Sequence, residues 1–312
     1  MGFRDFFARI NRFIRQTALF EYNRHLNIRS EVTQRCKSCR KRLPTLNMNI
    51  LKNAKRIVVK VGSSTLTYEN GRMNLQRIEA IARVLSDFAN SGRDVVLVSS
   101  GAIAVGTAKM GLDHRPSTTE ERQAMAAVGQ CELIRIYETF FQNYGHHVGQ
   151  ILLTRGTIEN EVSRRNAINT FDTLLKFGCI PIVNENDTIS CDELELLDTF
   201  GDNDTLSASV AVMINADVLI ILSDKDGMYD GDPRVKPDAK LIHTVASVDD
   251  TIMSYAGGAG SNRGTGGYIT KLKAAKIATE SGIPMFILNG SNPEILYDLN
   301  EGTCPGTYFM SK

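Results

Sequence analysis

From residue 55 onward the hydrophobic positions fall alternately into short continuous runs and helix-spaced stripes. Residues 56–61 form a β-branched run ending in Gly62-Ser63-Ser64-Thr65, the pattern of a strand that feeds a glycine turn. Leu75, Ile78, Ile81, Ala82, Leu85 and Phe88 then keep the 3.6-residue period of an amphipathic helix, closed by Ser91-Gly92. Residues 94–99 read as a buried strand that ends in another small-residue turn, Ser99-Ser100-Gly101-Ala102. The pattern next predicts a long helical region over 120–144 interrupted near Gly129, a strand at 147–154, a helix at 164–177 and a strand at 180–183. A helix to Asn215, a strand at 217–222 ending in Ser223-Asp224, a helix at 268–281 and strands at 283–288 and 307–310 complete the chain. Strands that alternate with helices, mostly as unbroken apolar runs, predict an α/β fold with a largely parallel sheet covered on both faces.

Polar chemistry gathers where these strands stop. The apolar run at 180–183 breaks into Asn184-Glu185-Asn186-Asp187, and Gly201-Asp202-Asn203-Asp204 opens the following helix. Either cluster alone reads as an Asx turn or an N-cap. Two of them, with glycine turns at neighbouring strand ends, read as a site, because ligands of open α/β sheets bind beyond the carboxyl ends of the strands. Lys60 precedes Gly62 on its strand, and Lys271 opens the helix after Gly264-Thr265-Gly266-Gly267. Taken singly, these are a strand-edge charge and a solvated helix lysine. Together with glycine loops, and with Asp204 able to hold both ammonium groups, they describe phosphoryl transfer by positioning and charge neutralisation. The sequence holds no G-x-x-x-x-G-K-[ST] motif, and the Gly264 turn lacks the strand and acidic partner of a dinucleotide fingerprint.

Composition narrows the setting. The 312 residues are 42% hydrophobic and 23% charged, with a net charge of +1, which argues against nucleic acid as a partner. Residues 1–50 form a basic N-terminal extension in which Phe3, Phe6, Phe7, Ile10 and Ile14 keep helical spacing among arginines. A mitochondrial presequence, a membrane-surface helix and a partner-binding arm all fit that pattern, and Asp5 and Glu21 weigh against the presequence. Six scattered cysteines without a secretory signal indicate a reduced, cytoplasmic protein, with Cys36 and Cys39 as free thiols and mitochondrial residence as the alternative. No apolar run approaches the ~20 residues of an integral membrane segment.

From Lys55 to its end the chain resembles the glutamate 5-kinases of the amino-acid kinase superfamily. The resemblance rests on Val59-Lys-Val-Gly-Ser-Ser64, Val98-Ser-Ser-Gly-Ala-Ile103, Ala126-Ala-Val-Gly-Gln130 and Gln150-Ile-Leu-Leu-Thr154. It continues through Pro181-Ile-Val-Asn-Glu-Asn-Asp-Thr188, Gly201-Asp-Asn-Asp-Thr-Leu-Ser-Ala208, Asp232-Pro-Arg234 and Gly264-Thr-Gly-Gly-Tyr-Ile-Thr-Lys271. It implies an open three-layer α/β/α sandwich over residues 51–312, with glutamate held by about 51–215 and the nucleotide by about 216–312. The implied reaction is ATP- and Mg²⁺-dependent phosphorylation of the γ-carboxylate of L-glutamate, the first step of proline biosynthesis, under feedback inhibition by proline.

The resemblance assigns catalysis to Lys60, Asp204 and Lys271 and glutamate binding to Ser100, Gly101, Asp187 and Asn203. ATP would meet Lys60, Gly62, Ser223, Asp224, Thr265, Gly266, Gly267, Tyr268, Ile269, Thr270 and Lys271, with Mg²⁺ carried by ATP rather than by a dedicated protein site. A homodimer or homotetramer and transient contact with a glutamyl-phosphate reductase are further implied. A C-terminal RNA-binding-like domain is expected to be missing. The 192–200 segment is longer and more acidic than the family's usual form, which bears on glutamate affinity and proline inhibition. The alternatives are another superfamily member, acting on acetylglutamate or UMP, and a catalytically silent subunit that senses proline or glutamate.

Overall fold

The computed structural model describes residues 49–68, 72–114, 116–189, 203–231, 236–255 and 267–312, which fall in one compact unit, Leu46–Lys312. The basic arm, the Cys36/Cys39 pair, the acidic 192–200 segment, Asp232-Pro233-Arg234 and the Thr265-Gly266 pair lie outside the described residues. In chain order the first half comprises α1 (Ile50–Asn53), β1 (Arg56–Val61), α2 (Ser63–Leu66), α3 (Leu75–Asn90), β2 (Asp94–Val98), α4 (Ala102–Met110) and α5 (Thr119–Gln142). Then come β3 (Val148–Leu153), α6 (Arg155–Glu159), α7 (Glu161–Lys176), β4 (Ile180–Glu185), α8 (Asn203–Met213) and β5 (Val218–Ser223). The remainder is β6 (Met228–Tyr229), β7 (Leu241–Ile242), β8 (Thr244–Val245), α9 (Asp250–Tyr255), α10 (Tyr268–Glu280), β9 (Met285–Asn289), α11 (Ile295–Asn300) and β10 (Thr307–Phe309).

Among the described residues eight strands form one sheet in the order β3-β4-β2-β1-β5-β9-β10-β8. β3, β4, β2, β1, β5 and β9 run parallel, while β10 is antiparallel to β9 and parallel to β8. β6 and β7 pair separately.

Strand alternation divides the core into two layers. Ile57, Val59 and Val61 of β1 face Ile78 and Leu85 of α3 and Leu133 and Tyr137 of α5. Val58 faces the other side, with Leu206 and Val210 of α8 and Leu272 of α10. Lys60 shares the parity of Val58, so its ammonium enters the α8/α10 layer at the strand's end. Sheet and two helical layers make the three-layer α/β/α sandwich that the resemblance implies, with the largely parallel sheet that the pattern predicts.

The expected interruption near Gly129 is absent: α5 runs unbroken from Thr119 to Gln142. A Thr118/Glu121 capping box secures its start, a device worth about 1 kcal/mol. Gly129 serves close approach instead. A Cβ there would lie 1.8 Å from the Ala102 carbonyl oxygen, and one at Gly106 would lie 1.9 Å from that of Met125. The two glycines bring the backbones of α4 and α5 into direct contact, which holds the start of α4 against the sheet's carboxyl end.

Candidate active site

β4, β2, β1 and β5 are neighbours and run parallel, so the four polar turns expected to form a site open on one edge of the sheet. After β2 the chain moves outward to β3 and β4, then crosses to β5 on the other side of β1. That reversal leaves a crevice beside the end of β1.

Asp204 is fully buried in the first turn of α8. Its Oδ1 receives the Lys60 ammonium. Its Oδ2 accepts from Lys271 Nζ at 3.0 Å and from Thr270 Oγ1, also at 3.0 Å. Lys60 and Lys271 are each more than nine-tenths buried. Burial, the largest single influence, pushes the Asp204 carboxyl up. The charges and hydrogen bonds of Lys60 and Lys271 outweigh it and hold the group below the ordinary carboxylate value. Two ammonium groups from different elements are therefore fixed at the crevice by one anion. Such a pair keeps unspent cationic character for a polyanion, which is what a transferring phosphoryl group presents.

Beside this cluster runs a chain of amides. Asn203 Nδ2 donates to Ser100 Oγ at 2.8 Å and to Asn184 Oδ1 at 3.0 Å. Asn184 Nδ2 donates to Gln130 Oε1 at 2.9 Å. Ser100 follows β2, Asn184 lies on β4, Gln130 on α5 and Asn203 opens α8, so the chain ties four elements together. Gly101 adopts φ +96° at the start of α4, a backbone state that side-chain-bearing residues rarely enter. Asp187 is half-buried beyond β4, in a pocket that Gln130, Glu185, Asn186 and Thr188 also line. Burial pushes its carboxyl up to about 6.

On the other side of β1, Ser223 ends β5, nearly buried, with its hydroxyl 3.2 Å from Asp224 Oδ1 and its carbonyl accepting from Gly290 N at 2.7 Å. Gly62 leaves room beside Lys60, whose Nζ would lie 3.6 Å from a Cβ there. Gly267 precedes α10 and makes no side-chain cap hydrogen bond, and the start of a helix is suited to phosphate oxygens. Tyr268 donates through its hydroxyl to the Gly227 carbonyl at 2.7 Å, which ties α10 to the loop after β5.

The structure thus brings Lys60, Asp204, Thr270 and Lys271 into one cluster and Ser100 and Asn203 into the adjoining network. It places Gly62, Gly101, Asp187, Ser223, Asp224 and Gly267 on the surrounding turns and Tyr268 and Ile269 in the first turn of α10. Thr265 and Gly266 lie outside the described residues. Asn184 belongs to the polar cluster that the sequence marked as a site but received no role of its own, and Gln130 entered only as the end of the Ala126–Gln130 motif. Gln130 carried a legible signal: it sits on the buried stripe of α5 with Ala126, Leu133 and Tyr137, where a polar side chain needs a reason. Among the described residues no group of His, Cys, Asp or Glu converges in a way that could hold a metal ion, and no helix is long and apolar enough to cross a membrane.

Residues 55–289 match the amino acid kinase family. The glutamate 5-kinase of Clostridium perfringens is 59% identical to this chain over 262 residues, covering 84% of this chain and 97% of that protein. Those of Clostridium tetani and Listeria innocua are 53% and 51% identical, covering 83% and 84% of this chain and 96% and 95% of theirs. Among solved structures, the UMP kinase of Bacillus anthracis superposes with a TM-score of 0.56 at 17% identity, covering 83% of this chain and 97% of that one. The isopentenyl phosphate kinase of T. acidophilum gives 0.53 at 17%, covering 81% and 99%; these likenesses speak for the fold.

Proposed function

The chain belongs to the amino acid kinase family and, within it, to the glutamate 5-kinases, and from that premise we propose that it makes L-glutamyl 5-phosphate from L-glutamate and ATP, the first step of proline biosynthesis, under feedback inhibition by proline. A γ-carboxylate oxygen of glutamate attacks the γ-phosphorus of ATP. The new O–P bond forms as the bond to the bridging oxygen breaks, and ADP leaves with that electron pair. A carboxylate with an ordinary pKa near 4.3 is already ionised at neutral pH, so no general base is required.

The observation that carries this reading is Asp204 holding Lys60 and Lys271 at the crevice. In it the two ammonium groups neutralise charge on the transferring phosphoryl group and its leaving oxygen, and Asp204 keeps them apart and aimed. Both oxygens of Asp204 are engaged by protein donors, so Mg²⁺ would be brought in with ATP and would supply further charge neutralisation at its phosphates. Ser100 and Asn203 hold the amino acid, and Asp187 pairs with its α-ammonium. The turn at Ser223-Asp224 and the start of α10 line the nucleotide. Assembly into a homodimer or homotetramer, a cytoplasmic setting and hand-over of the unstable acyl phosphate to a reductase belong to the same reading.

The test is ATP consumption by the purified chain with L-glutamate, the product trapped with hydroxylamine and proline titrated in. Glutamate-dependent hydroxamate that falls with proline is the expected result. Turnover with acetylglutamate or UMP in place of glutamate would overturn the substrate. Binding of glutamate or proline without any turnover would overturn the enzyme in favour of a silent sensor.

A further inference from the structure

The amide chain is oriented by one unambiguous donor. The backbone N–H of Glu185 donates to one end of the Asn184 side chain at 2.9 Å, and a backbone N–H can only donate, so that end is oxygen. The other end of Asn184 is then the NH₂, and the Gln130 atom it meets must be the acceptor, Oε1. By the same step the Asn203 atom facing Asn184 Oδ1 is Nδ2. Once the amides are set in this way, the two ends of this relay have no partner among the described residues: the buried Gln130 Nε2 donor at one end and the buried Asn203 Oδ1 acceptor at the other. Gln130 is more than nine-tenths buried, yet it lines the pocket that contains Asp187. A buried donor without an acceptor is costly to keep, so it persists where a ligand supplies the missing partner.

We propose that Gln130 is a substrate-recognition residue whose Nε2 donates to the α-carboxylate of the bound amino acid, while Asn203 Oδ1, fixed by the same relay, accepts from its α-ammonium. This inference rests on the glutamate reading above and adds to it how the zwitterionic head is told apart from other carboxylates. The logic is one of matching types. The ammonium is the only N–H donor that glutamate owns, so the open acceptor goes to it. The open donor lies in the pocket of Asp187, where the ammonium is held, so the carboxylate it meets is the neighbouring α-group. The γ-carboxylate is left for the lysine cluster.

The decisive experiment compares the parent with Gln130→Glu and Gln130→Met in the hydroxamate assay, using L-glutamate and its α-amide, which keeps a free γ-carboxylate. Glutamate at position 130 can still accept from Asn184 Nδ2 but presents an anion where the donor stood. The KM for L-glutamate should rise at least tenfold in both variants, the scale of a hydrogen bond to a charged group, with the KM for ATP within twofold of the parent. In Gln130→Glu the ratio of kcat/KM for the α-amide over that for glutamate should rise at least tenfold, because the ligand's NH₂ can now donate to the new carboxylate. A merely structural role would not invert that preference. A glutamate KM within twofold of the parent together with an unchanged ratio would overturn the proposal while leaving the kinase intact. A parent chain without glutamate-dependent hydroxamate would remove both. Should Gln130→Glu fail to fold, Gln130→Met decides: a glutamate KM within twofold of the parent overturns the proposal, as does an equal rise in the KM for glutamate and for the α-amide, whereas a rise at least tenfold for glutamate and clearly smaller for the α-amide supports it.

Discussion

Replacing Asp204 by asparagine should cripple both the stability and the turnover of this chain. The carboxylate is fully buried between Lys60 and Lys271, and each of its oxygens takes one ammonium. Asparagine keeps the shape but not the charge, so two buried ammonium groups would face each other across an amide whose NH₂ is itself a donor. Removing one partner from a buried ion pair costs about 3–5 kcal/mol. At roughly 2–4 °C per kcal/mol for a chain of this size, the melting temperature should fall by about 6–20 °C. Turnover should drop by about a hundredfold or more, since each well-placed donor to a developing charge is worth about 10²–10³ in kcat and both lysines lose their anchor at once. The pH dependence supplies an independent check. A carboxyl held below its ordinary value stabilises the fold fully above the unfolded pKa of about 3.9, and that contribution is lost only as pH falls through the lower folded value. The melting gap between parent and Asp204→Asn should therefore stay constant from pH 8 to pH 5. Thermal melts across that range and steady-state hydroxamate formation at pH 7.5 measure both effects. A variant that melts within 2 °C of the parent and keeps more than a tenth of its kcat would refute the reasoning.

Other expectations follow from the same geometry. Lys271→Ala should lower kcat by about 10²–10³ with little change in the KM for glutamate; a raised KM at full kcat would move Lys271 out of the transition state. Burial lifts the Asp187 carboxyl to about 6, so its charge is present above that pH and lost below it. The KM for glutamate should accordingly rise about tenfold between pH 7 and pH 5, and a flat profile would detach Asp187 from the ammonium. Gly129→Ala forces a methyl toward the Ala102 carbonyl oxygen, 1.8 Å away before relaxation. A loss of at least 1–3 kcal/mol in chemical denaturation is expected, in the range of core overpacking, and an unchanged midpoint would mean that α4 moves aside freely.

The sequence disclosed the sheet because its strands are covered on both faces and so read as unbroken apolar runs. It disclosed the cluster because Lys60 keeps the parity of a core residue and Asp204 and Lys271 each sit in the first turn of a helix. It hid α4, Ala-Ile-Ala-Val-Gly-Thr-Ala-Lys-Met, whose small residues show no polar face from which a period could be read. The same blindness turned Gly129 into an interruption. Glycine in a helix is normally a cost of about 1 kcal/mol, and only the partner glycine at 106, in a helix that had not been recognised, converts it into a contact. The two-residue strands β6, β7 and β8 carry no pattern at all. Gln130 shows where the boundary lies. Its place on the apolar stripe of α5 was visible from spacing, but spacing marks a buried polar residue without saying what it bonds. Only the joint placement of Glu185 N, Asn184 and Asn203 decides which of its two atoms is satisfied and which has no partner among the described residues, and that is a property of four elements meeting rather than of any one of them.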